Sequence, residues 1–263
     1  MQRIHLVELE DLPWMPAVIT DAARDLLDLF FARVRFYAGV LPRLVDLVRA
    51  SGVKRVMDLG SGGGGGVLTA TRVLREEGMT DVAVTLTDRF PNASARERIR
   101  AMGDPLLDYA AQPVDALATH AGEPAIRTMF GALHHFRPDD VRRLVGAAVA
   151  DGVPIALFDS RAALRKLPVI FAPIAALPNM VMLFLVTLFL TPLLRPTRPA
   201  RLLLTYVLPL IPLLFAWDGT ISAMRSYTAQ EVLDLAKSVP GADRYVWDAS
   251  EHGNAIYLTG RPA

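Results

Sequence analysis

The chain has 263 residues, no cysteine and a formal net charge of +1, from 28 Lys and Arg against 27 Asp and Glu. This length suits one large α/β domain or a domain with an insertion. The near-neutral charge provides no basic field for nucleic acid. The lack of cysteine excludes disulfides and thiolate sites, and it fits a reducing cytoplasm. Residues 1–14 carry three acids and no apolar core, so we expect no secretion signal.

Alternating strand and helix patterns run along most of the chain. Apolar residues at helix spacing predict helical structure over residues 17–50. Thr228 and Glu231 form a capping-box pattern at the start of a later helix. Two final strands, 244–248 and 255–259, surround a hairpin loop at 251–254, so at least one edge strand is antiparallel. The other predicted strands are 53–59, 82–87, 126–133 and 153–158, and the other predicted helices are 67–77, 93–102, 138–150 and 228–239. This alternation predicts a doubly wound, mostly parallel sheet.

The stretch 56–66, Val-Met-Asp-Leu-Gly-Ser-Gly-Gly-Gly-Gly-Gly, joins an apolar strand to a glycine loop. Glycines there let the backbone approach a flat, polar ligand, because no Cβ intervenes. One interpretation is the dinucleotide pattern Gly60-x-Gly62-x-x-Gly65, with Asp88 about twenty residues further on. That pattern predicts a nicotinamide or flavin enzyme.

The alternative pattern, Asp58-x-Gly60-x-Gly62-x-Gly64, resembles motif I of the class I S-adenosylmethionine-dependent methyltransferases. An acid inside the strand end repels a pyrophosphate and attracts a sulfonium and an amine, which favours this second interpretation. The position of the motif after a helical segment and the final strand hairpin are also similar to that family. The resemblance covers residues 53–160 and 227–263. It implies a Rossmann-like seven-stranded sheet whose final strand is antiparallel.

The resemblance also implies where the cofactor S-adenosylmethionine lies. The glycine loop would hold its methionine part, Asp88 its ribose hydroxyls, and Asp115 or its neighbour the adenine. The family's Asn-Pro-Pro-Tyr signature is absent, which argues against nucleic-acid bases and protein glutamine as substrates. The candidate cofactor contacts are Asp58, Leu59, Gly60, Ser61, Gly62, Gly64, Asp88, Arg89, Asp115, Ala116 and Phe130.

Proton removal from an oxygen or nitrogen acceptor requires a base. The candidates are His134, His135, Asp159 and Tyr227. Adjacent residues on a strand point apart, so His134 and His135 are not expected to share a metal, and we expect no metal site. The candidate substrate contacts are His135, Arg225, Tyr227 and Trp217. An ordinary structural role, such as pairing of Arg225 with Asp218, is the alternative for these residues.

Residues 167–217 are strongly apolar, and their only charges, Arg195, Arg198 and Arg201, cluster in a proline-broken loop. The pattern predicts a helical hairpin with a basic tip. Three interpretations remain: a membrane-spanning hairpin, a monotopic hairpin whose arginines contact anionic headgroups, and an apolar lid or oligomer interface. Prolines in both arms and the basic tip argue against spanning.

These observations predict an enzyme that methylates a small hydrophobic acceptor, at oxygen in preference to nitrogen or carbon. The expected location is the cytoplasm, at the inner face of the membrane. The predicted segments are an N-terminal helical segment (1–52), a methyltransferase domain (53–163 and 220–263) and an apolar insertion (164–219). The alternatives are a catalytically silent cofactor-binding protein at the membrane and an NAD(P)-dependent oxidoreductase.

Overall fold

The computed structural model describes residues 3, 6–12, 14–119, 122, 124–162, 164 and 172–263. The chain divides into two compact units. We call Arg35–Arg161 with Tyr227–Ala263 the sheet unit, and Met1–Val34 with Ala162–Ser226 the helical unit. The sequence placed boundaries after residues 52, 163 and 219, whereas the units divide after residues 34, 161 and 226. The first boundary moves because residues 41–51 form a helix that packs on the sheet unit.

The α-helices alternate with strands through the first part of the chain and then cluster in the apolar segment. They are α1 (Ala17–Arg33), α2 (Leu41–Ser51), α3 (Gly65–Glu76), α4 (Ala93–Ala101), α5 (Pro138–Ala150), α6 (Ala172–Leu190), α7 (Pro199–Leu202), α8 (Leu210–Arg225) and α9 (Ala229–Lys237). Helix α9 has the predicted capping box between Thr228 and Glu231.

One seven-stranded sheet forms the centre of the sheet unit. Its strands are β1 (Arg55–Leu59), β2 (Ala83–Thr87), β3 (Leu107–Tyr109), β4 (Ile126–Phe130), β5 (Ile155–Ser160), β6 (Tyr245–His252) and β7 (Ala255–Pro262), in the order β3-β2-β1-β4-β5-β7-β6. Strands β1 to β5 pair in parallel, and β7 is antiparallel to both of its neighbours. The predicted mostly parallel sheet with an antiparallel final strand is confirmed.

The strand order reverses direction between β1 and β4, because the chain moves outward to β3 and then returns. In open α/β sheets, such a switch point leaves a crevice at the carboxyl ends of the two strands, where ligands bind. Asp58 of β1 pairs in register with Thr128 of β4 at this point. The topology therefore brings the glycine loop and the loop after β4 to one edge.

Several predicted elements differ from the observed ones. The helical stretch 17–50 is interrupted by turns at residues 34–40, and β3 lies in a segment for which no strand was predicted. Strand β4 ends at Phe130, before a short 3-10 helix, Leu133–His135. Strand β5 extends to Ser160 and includes Asp159, which was predicted to follow it. The hairpin turn is Gly253-Asn254 alone, since β6 continues through His252.

The helical unit is built around α6 and α8, which pack side by side, with α1 against both. Its core joins Leu26 of α1, Leu183 of α6 and Leu214 of α8. Buried Arg201 pairs with Asp25 across α7 and α1, with Nη2 2.7 Å from Oδ2. The first residues of the predicted first arm, 167–171, lie outside the described residues.

Candidate functional site

The loop between β1 and α3 has the backbone conformation that its glycines allow. Gly60, Gly62 and Gly64 have φ angles of +66°, +51° and +90°. This left-handed region costs an L-residue energy but is open to glycine. A Cβ at Gly62 would meet no atom within 4 Å, whereas one at Gly66 would lie 2.5 Å from Cβ of Phe130. The loop therefore leaves open space beside Gly62, and α3 begins in close contact with the end of β4.

Asp58 is buried at the end of β1. Its Oδ2 accepts a hydrogen bond from Oγ of Ser61 at 2.6 Å, and its Oδ1 accepts one from Oγ1 of Thr128 at 2.7 Å. Burial raises the pKa of Asp58 to about 7, against the two hydrogen bonds, which lower it, and the nearby charge of Asp88 raises it further. A nearby cation favours the ionised form of a buried carboxyl group with such a pKa, so Asp58 can bind a cationic group of a ligand. The contact of Thr128 with Asp58 was not predicted, because it depends on the register of β1 and β4.

Asp88 connects the two loops beside the crevice. Its Oδ2 accepts the N–H of Gly62 at 2.9 Å, and its Oδ1 accepts the N–H of Phe90 at 2.8 Å. Each carboxylate oxygen has a further lone pair after accepting one hydrogen bond. The predicted ribose acid therefore orients the glycine loop and retains the capacity to accept ligand hydroxyls.

The remaining predicted cofactor contacts lie around this centre with different exposures. Asp115 is exposed, and its Oδ1 accepts the N–H of Leu117 at 3.0 Å, a local turn contact. Ala116 is buried in the core, and Arg89 is exposed beside the ring of Phe90. The N–H of Val114 donates to the carbonyl of Asp88 at 2.9 Å, which brings the segment before Asp115 against the end of β2.

Aromatic side chains pack together at the ends of β4 and β5. Phe130 stacks on Phe158, with ring centroids 4.7 Å apart, and meets the edge of Tyr37 at 5.4 Å. Phe130 is half-buried, and Leu59 is buried at the end of β1. These contacts provide an apolar wall beside the glycine loop.

His134, in the 3-10 helix after β4, and Asp159, near the end of β5, form a buried pair. Nδ1 of His134 lies 3.0 Å from Oδ1 of Asp159, whose Oδ2 accepts the backbone N–H of His134 at 2.7 Å. Burial raises the pKa of Asp159, but the charge of His134, its hydrogen bond and the N–H groups of Ser160 and His134 outweigh burial and hold that pKa below its usual value. An ionised Asp159 only accepts hydrogen bonds. Nδ1 of His134 therefore donates, which leaves Nε2 as the ring nitrogen that can exchange a proton with a ligand.

His135 follows in the same 3-10 helix and is half-buried. Its ring centroid lies 4.4 Å from that of His134, at an interplanar angle of 35°. The expectation that these adjacent side chains point apart was wrong, because it assumed a strand where the chain turns into a 3-10 helix.

Tyr227 holds the end of this 3-10 turn through a hydrogen bond. The side chain is 1% exposed, and its hydroxyl donates to the carbonyl of Phe136 at 2.8 Å. Phe136 directly follows the two histidines. The geometry therefore gives Tyr227 a contact that orients the turn, and its predicted roles as a base and as a substrate contact remain predictions.

Comparison with known proteins adds to this geometry. No protein-family model and no curated protein sequence matches the chain. Solved structures do match it. An O-methyltransferase family protein from Burkholderia thailandensis has a TM-score of 0.54 at 14% identity, over 93% of this chain and 62% of that one. The O-methyltransferase of neocarzinostatin biosynthesis, solved with S-adenosylmethionine and 2-hydroxy-5-methyl naphthoic acid, has a TM-score of 0.54 at 13% identity, over 94% and 59%.

The chain has the class I methyltransferase fold. A third structure with this methyltransferase fold, an O-methyltransferase family 2 protein from Planctomyces limnophilus in complex with apigenin, has a TM-score of 0.51 at 18% identity, over 95% of this chain and 63% of that one. The chain thus spans about three fifths of the length of these solved structures.

Two predicted substrate contacts belong to the helical unit of this methyltransferase fold. Buried Arg225 pairs with Glu8, with Nη1 2.9 Å from Oε1, and lies 3.7 Å from Oδ2 of Asp11. The indole N–H of Trp217 donates to the carbonyl of Val7 at 3.1 Å. Both side chains of α8 therefore hold the N-terminal segment, and their roles toward a substrate remain predictions.

The suggested pairing of Arg225 with Asp218 is not the one observed. Asp218 instead accepts the N–H groups of Leu9 and Glu10, at 2.6 and 3.0 Å. Burial raises the pKa of Asp218 to about 7 against these two hydrogen bonds, and the nearby Glu10 and Glu8 raise it further. This carboxylate and Arg225 together hold residues 8–11 along α8.

The helical unit exposes many large apolar side chains. Among the described residues, Ile174–Leu193 is the one continuous helical stretch long and apolar enough to cross a membrane, and only 22% of its most apolar part is buried. Pro199–Val207 and Leu210–Arg225 meet the same criterion only as a pair, bent by 75°. The core helix of a globular protein can have the same length and composition, so this criterion alone assigns no membrane span. The exposed large apolar side chains of α6 and of the segment after α7 are Ile174, Leu177, Val181, Met182, Leu185, Phe189, Leu203, Tyr206, Val207 and Leu208.

Proposed function

We propose that the protein transfers a methyl group from S-adenosylmethionine to a hydroxyl oxygen of a small hydrophobic acceptor. The observation that carries this proposal is the arrangement at the switch point. There the N–H of Gly62 is held by Asp88, and buried Asp58 lies at the start of the same loop. Solved structures of the same fold that bind S-adenosylmethionine and O-methyltransferases of this fold support the proposal.

The residues present fit this cofactor. Asp58 offers a buried carboxylate for an ammonium or sulfonium group, and Asp88 retains acceptor capacity for ribose hydroxyls after accepting the N–H groups of Gly62 and Phe90. The open space beside Gly62 leaves room for a ligand against the backbone. When bound, S-adenosylmethionine supplies an activated methyl group on a positively charged sulfur.

His134 is the proposed general base, and Asp159 orients it. With Nδ1 donating to Asp159, Nε2 of His134 accepts the proton of the acceptor hydroxyl. With S-adenosylmethionine bound, this oxygen would take up the methyl carbon, and the electron pair of the broken carbon–sulfur bond would remain on sulfur. The products are the methyl ether, or methyl ester, and S-adenosylhomocysteine. Alignment of oxygen, carbon and sulfur contributes much of the rate in such a transfer.

A hydrophobic acceptor is the second part of the proposal. The half-buried ring of Phe130, stacked on Phe158 at the ends of β4 and β5, favours an apolar molecule that carries a hydroxyl group. Two structurally similar proteins were solved with aromatic hydroxyl compounds, 2-hydroxy-5-methyl naphthoic acid and apigenin, which supports an acceptor of this class.

We also propose that the helical unit lies at a membrane surface and does not cross it. The exposed residues Ile174, Leu177, Val181 and Leu185 recur at helix spacing along one side of α6. Helix α1 packs on α6 and α8 and carries charged residues, Asp21, Arg24, Asp25 and Asp28. A transbilayer position would bring these charges into hydrocarbon, at a cost of about 2.5–3.5 kcal/mol each. An interfacial position immerses α6 and keeps α1 in water.

Equilibrium binding tests the cofactor part. We expect calorimetry to show that the purified protein binds S-adenosylhomocysteine and does not bind NADH. Tight NADH binding without S-adenosylhomocysteine binding would favour an oxidoreductase and overturn the proposal. Transfer of a tritiated methyl group to a panel of lipophilic phenols and hydroxynaphthoic acids then tests turnover. Binding without any transfer to apolar hydroxyl compounds would contradict the proposed acceptor class.

A further inference from the structure

Tyr109 is the last residue of β3, and its hydroxyl contacts the glycine loop. The side chain is 1% exposed, and it is among the largest fully buried side chains of the described residues. Its hydroxyl donates to the carbonyl of Gly62 at 3.1 Å and accepts the N–H of Asn92 at 3.3 Å. Asn92 is the N-cap of α4, where its Oδ1 accepts the N–H of Ala95 at 3.0 Å. One phenol group therefore joins β3, the glycine loop and the start of α4.

Gly62 is consequently held on both sides. Its N–H donates to Asp88 at 2.9 Å, and its carbonyl accepts from Tyr109 at 3.1 Å. These two hydrogen bonds fix the peptide planes before and after a residue whose φ is +51°. A glycine has the widest choice of backbone conformations, so a loop of glycines loses the most entropy on ordering. Contacts that order the loop before a ligand arrives reduce that cost at binding.

We propose that Tyr109 is a positioning residue of the cofactor site, which acts by ordering the Gly62 peptides and does not touch the ligand. This inference rests on the proposed function, because it assigns a role at the same site. It predicts that the hydroxyl, and not the ring, determines cofactor affinity. A merely structural role would have the opposite signature, in which the ring stabilises the fold and the hydroxyl has no effect on affinity.

Tyr109→Phe separates the two roles, since it keeps the ring and removes the hydroxyl. Tyr245→Phe is the matched control. Tyr245 is also buried, and its hydroxyl donates to the carbonyls of Ala148 and Val153 at 3.2 and 3.0 Å, but it lies on β6, at the opposite edge of the sheet from β3. The experiment measures Kd for S-adenosylhomocysteine by calorimetry and Tm by circular dichroism for both variants. We expect Tyr109→Phe to raise Kd about tenfold, which corresponds to the loss of one hydrogen bond, and Tyr245→Phe to leave Kd unchanged.

A second pair of variants keeps the test decisive if Tyr109→Phe does not fold. Tyr109→4-aminophenylalanine retains a donor at the same ring position, and Tyr109→4-fluorophenylalanine fills the space without donating. The first should restore wild-type affinity and the second should not. Equal Kd values for wild type and every folded Tyr109 variant would overturn the assignment and leave the proposed function standing. A wild-type protein that binds no S-adenosylhomocysteine would overturn both.

Discussion

Nδ1 of His134 lies 3.0 Å from Oδ1 of Asp159, and both side chains are buried. Asp159 also accepts the backbone N–H groups of His134 and Ser160, at 2.7 and 2.6 Å. Three N–H donors converge on one carboxylate, which fixes both the position and the tautomer of the imidazole. A histidine oriented in this way is suited to proton transfer at Nε2.

Removal of this base is the first test of the mechanism. We expect His134→Gln to lower kcat about 10²- to 10⁴-fold, the usual contribution of a positioned base. Asp159→Asn should also lower kcat strongly, because an amide no longer holds the imidazole in one tautomer. Both variants should bind S-adenosylhomocysteine as the wild type does. His135→Gln is the comparison: it replaces the adjacent ring, and its kcat should fall less than that of His134→Gln. Full activity of Asp159→Asn would contradict the proposed pair.

The loop contact between Asp88 and Gly62 leads to the second prediction. Asp88→Ala removes a carboxylate that holds the loop and accepts ligand hydroxyls, and it should weaken S-adenosylhomocysteine binding by about 1–3 kcal/mol. Gly62→Val should weaken binding similarly, because a side chain fills the open space and strains a φ of +51°. Calorimetry measures both effects.

Two controls separate site effects from general damage. Gly78 has a φ of +80° with open space around it, so Gly78→Val imposes the same kind of strain at the end of α3. Asp108→Ala removes an exposed carboxylate next to Tyr109. These variants should leave affinity unchanged. If Gly78→Val weakened binding as much as Gly62→Val, strain and not blockage would explain the result.

The central part of the fold was predictable from local sequence. The apolar strand before the glycines, the following helix and the Pro138–Ala150 helix follow from periodicity and start signals within a few residues. Strand β3 was not predictable in this way, because it is three residues long and its middle residue is exposed. So short a pattern does not distinguish a strand from a loop.

The site was predictable only where its residues are close in sequence. Asp58 and the glycines form one motif, but the pair of His134 with Asp159 spans 25 residues and depends on β4 and β5 being neighbours. The contact of Thr128 with Asp58 spans 70 residues and depends on the register of β1 and β4. Such contacts arise from sheet pairing, which a single sequence does not encode locally.

The raised pKa of Asp58 leads to a pH-dependence prediction. Burial raises that pKa from 3.8 to about 7, so the free protein holds Asp58 largely neutral at pH 6 and ionised at pH 8. An ammonium group of the ligand favours the ionised form. Affinity for S-adenosylhomocysteine should therefore rise with pH, by at most about tenfold per unit below the folded pKa, and then level off.

Stability should change in the opposite direction. A carboxyl group with a raised folded pKa contributes stability that is full below its unfolded pKa of 3.8 and is lost as pH rises through about 7. Asp218 contributes in the same direction, so stability alone does not isolate Asp58. Calorimetry of the Asp58→Asn variant isolates this group. Its affinity for S-adenosylhomocysteine should be nearly independent of pH between 6 and 8. A persistent pH dependence in this variant would assign the titration to another group.

The exposed face of α6 leads to the last prediction, which concerns membrane binding. Val181 is 49% exposed, and so is Val246 on β6 of the sheet unit. Val181→Glu should weaken binding to phospholipid vesicles at least about tenfold, because it removes a buried apolar contact with lipid and adds a charge. Val246→Glu should have no effect on binding. Vesicle flotation measures both variants, and equal exposure of the two valines makes the comparison a matched one.

The charged end of the hairpin tests which lipids are bound. Arg195 and Arg198 are exposed between α6 and α7, whereas Arg201 is paired with Asp25. Replacing both exposed arginines by alanine should weaken binding to phosphatidylglycerol vesicles by about 1 kcal/mol per arginine, and should hardly affect binding to pure phosphatidylcholine.

The alternative to membrane binding by the exposed face of α6 is an interface between copies of the chain. In that case, Val181→Glu would dissociate an oligomer in analytical ultracentrifugation without any change in vesicle binding, because the same apolar side chains would be covered by protein and not by lipid.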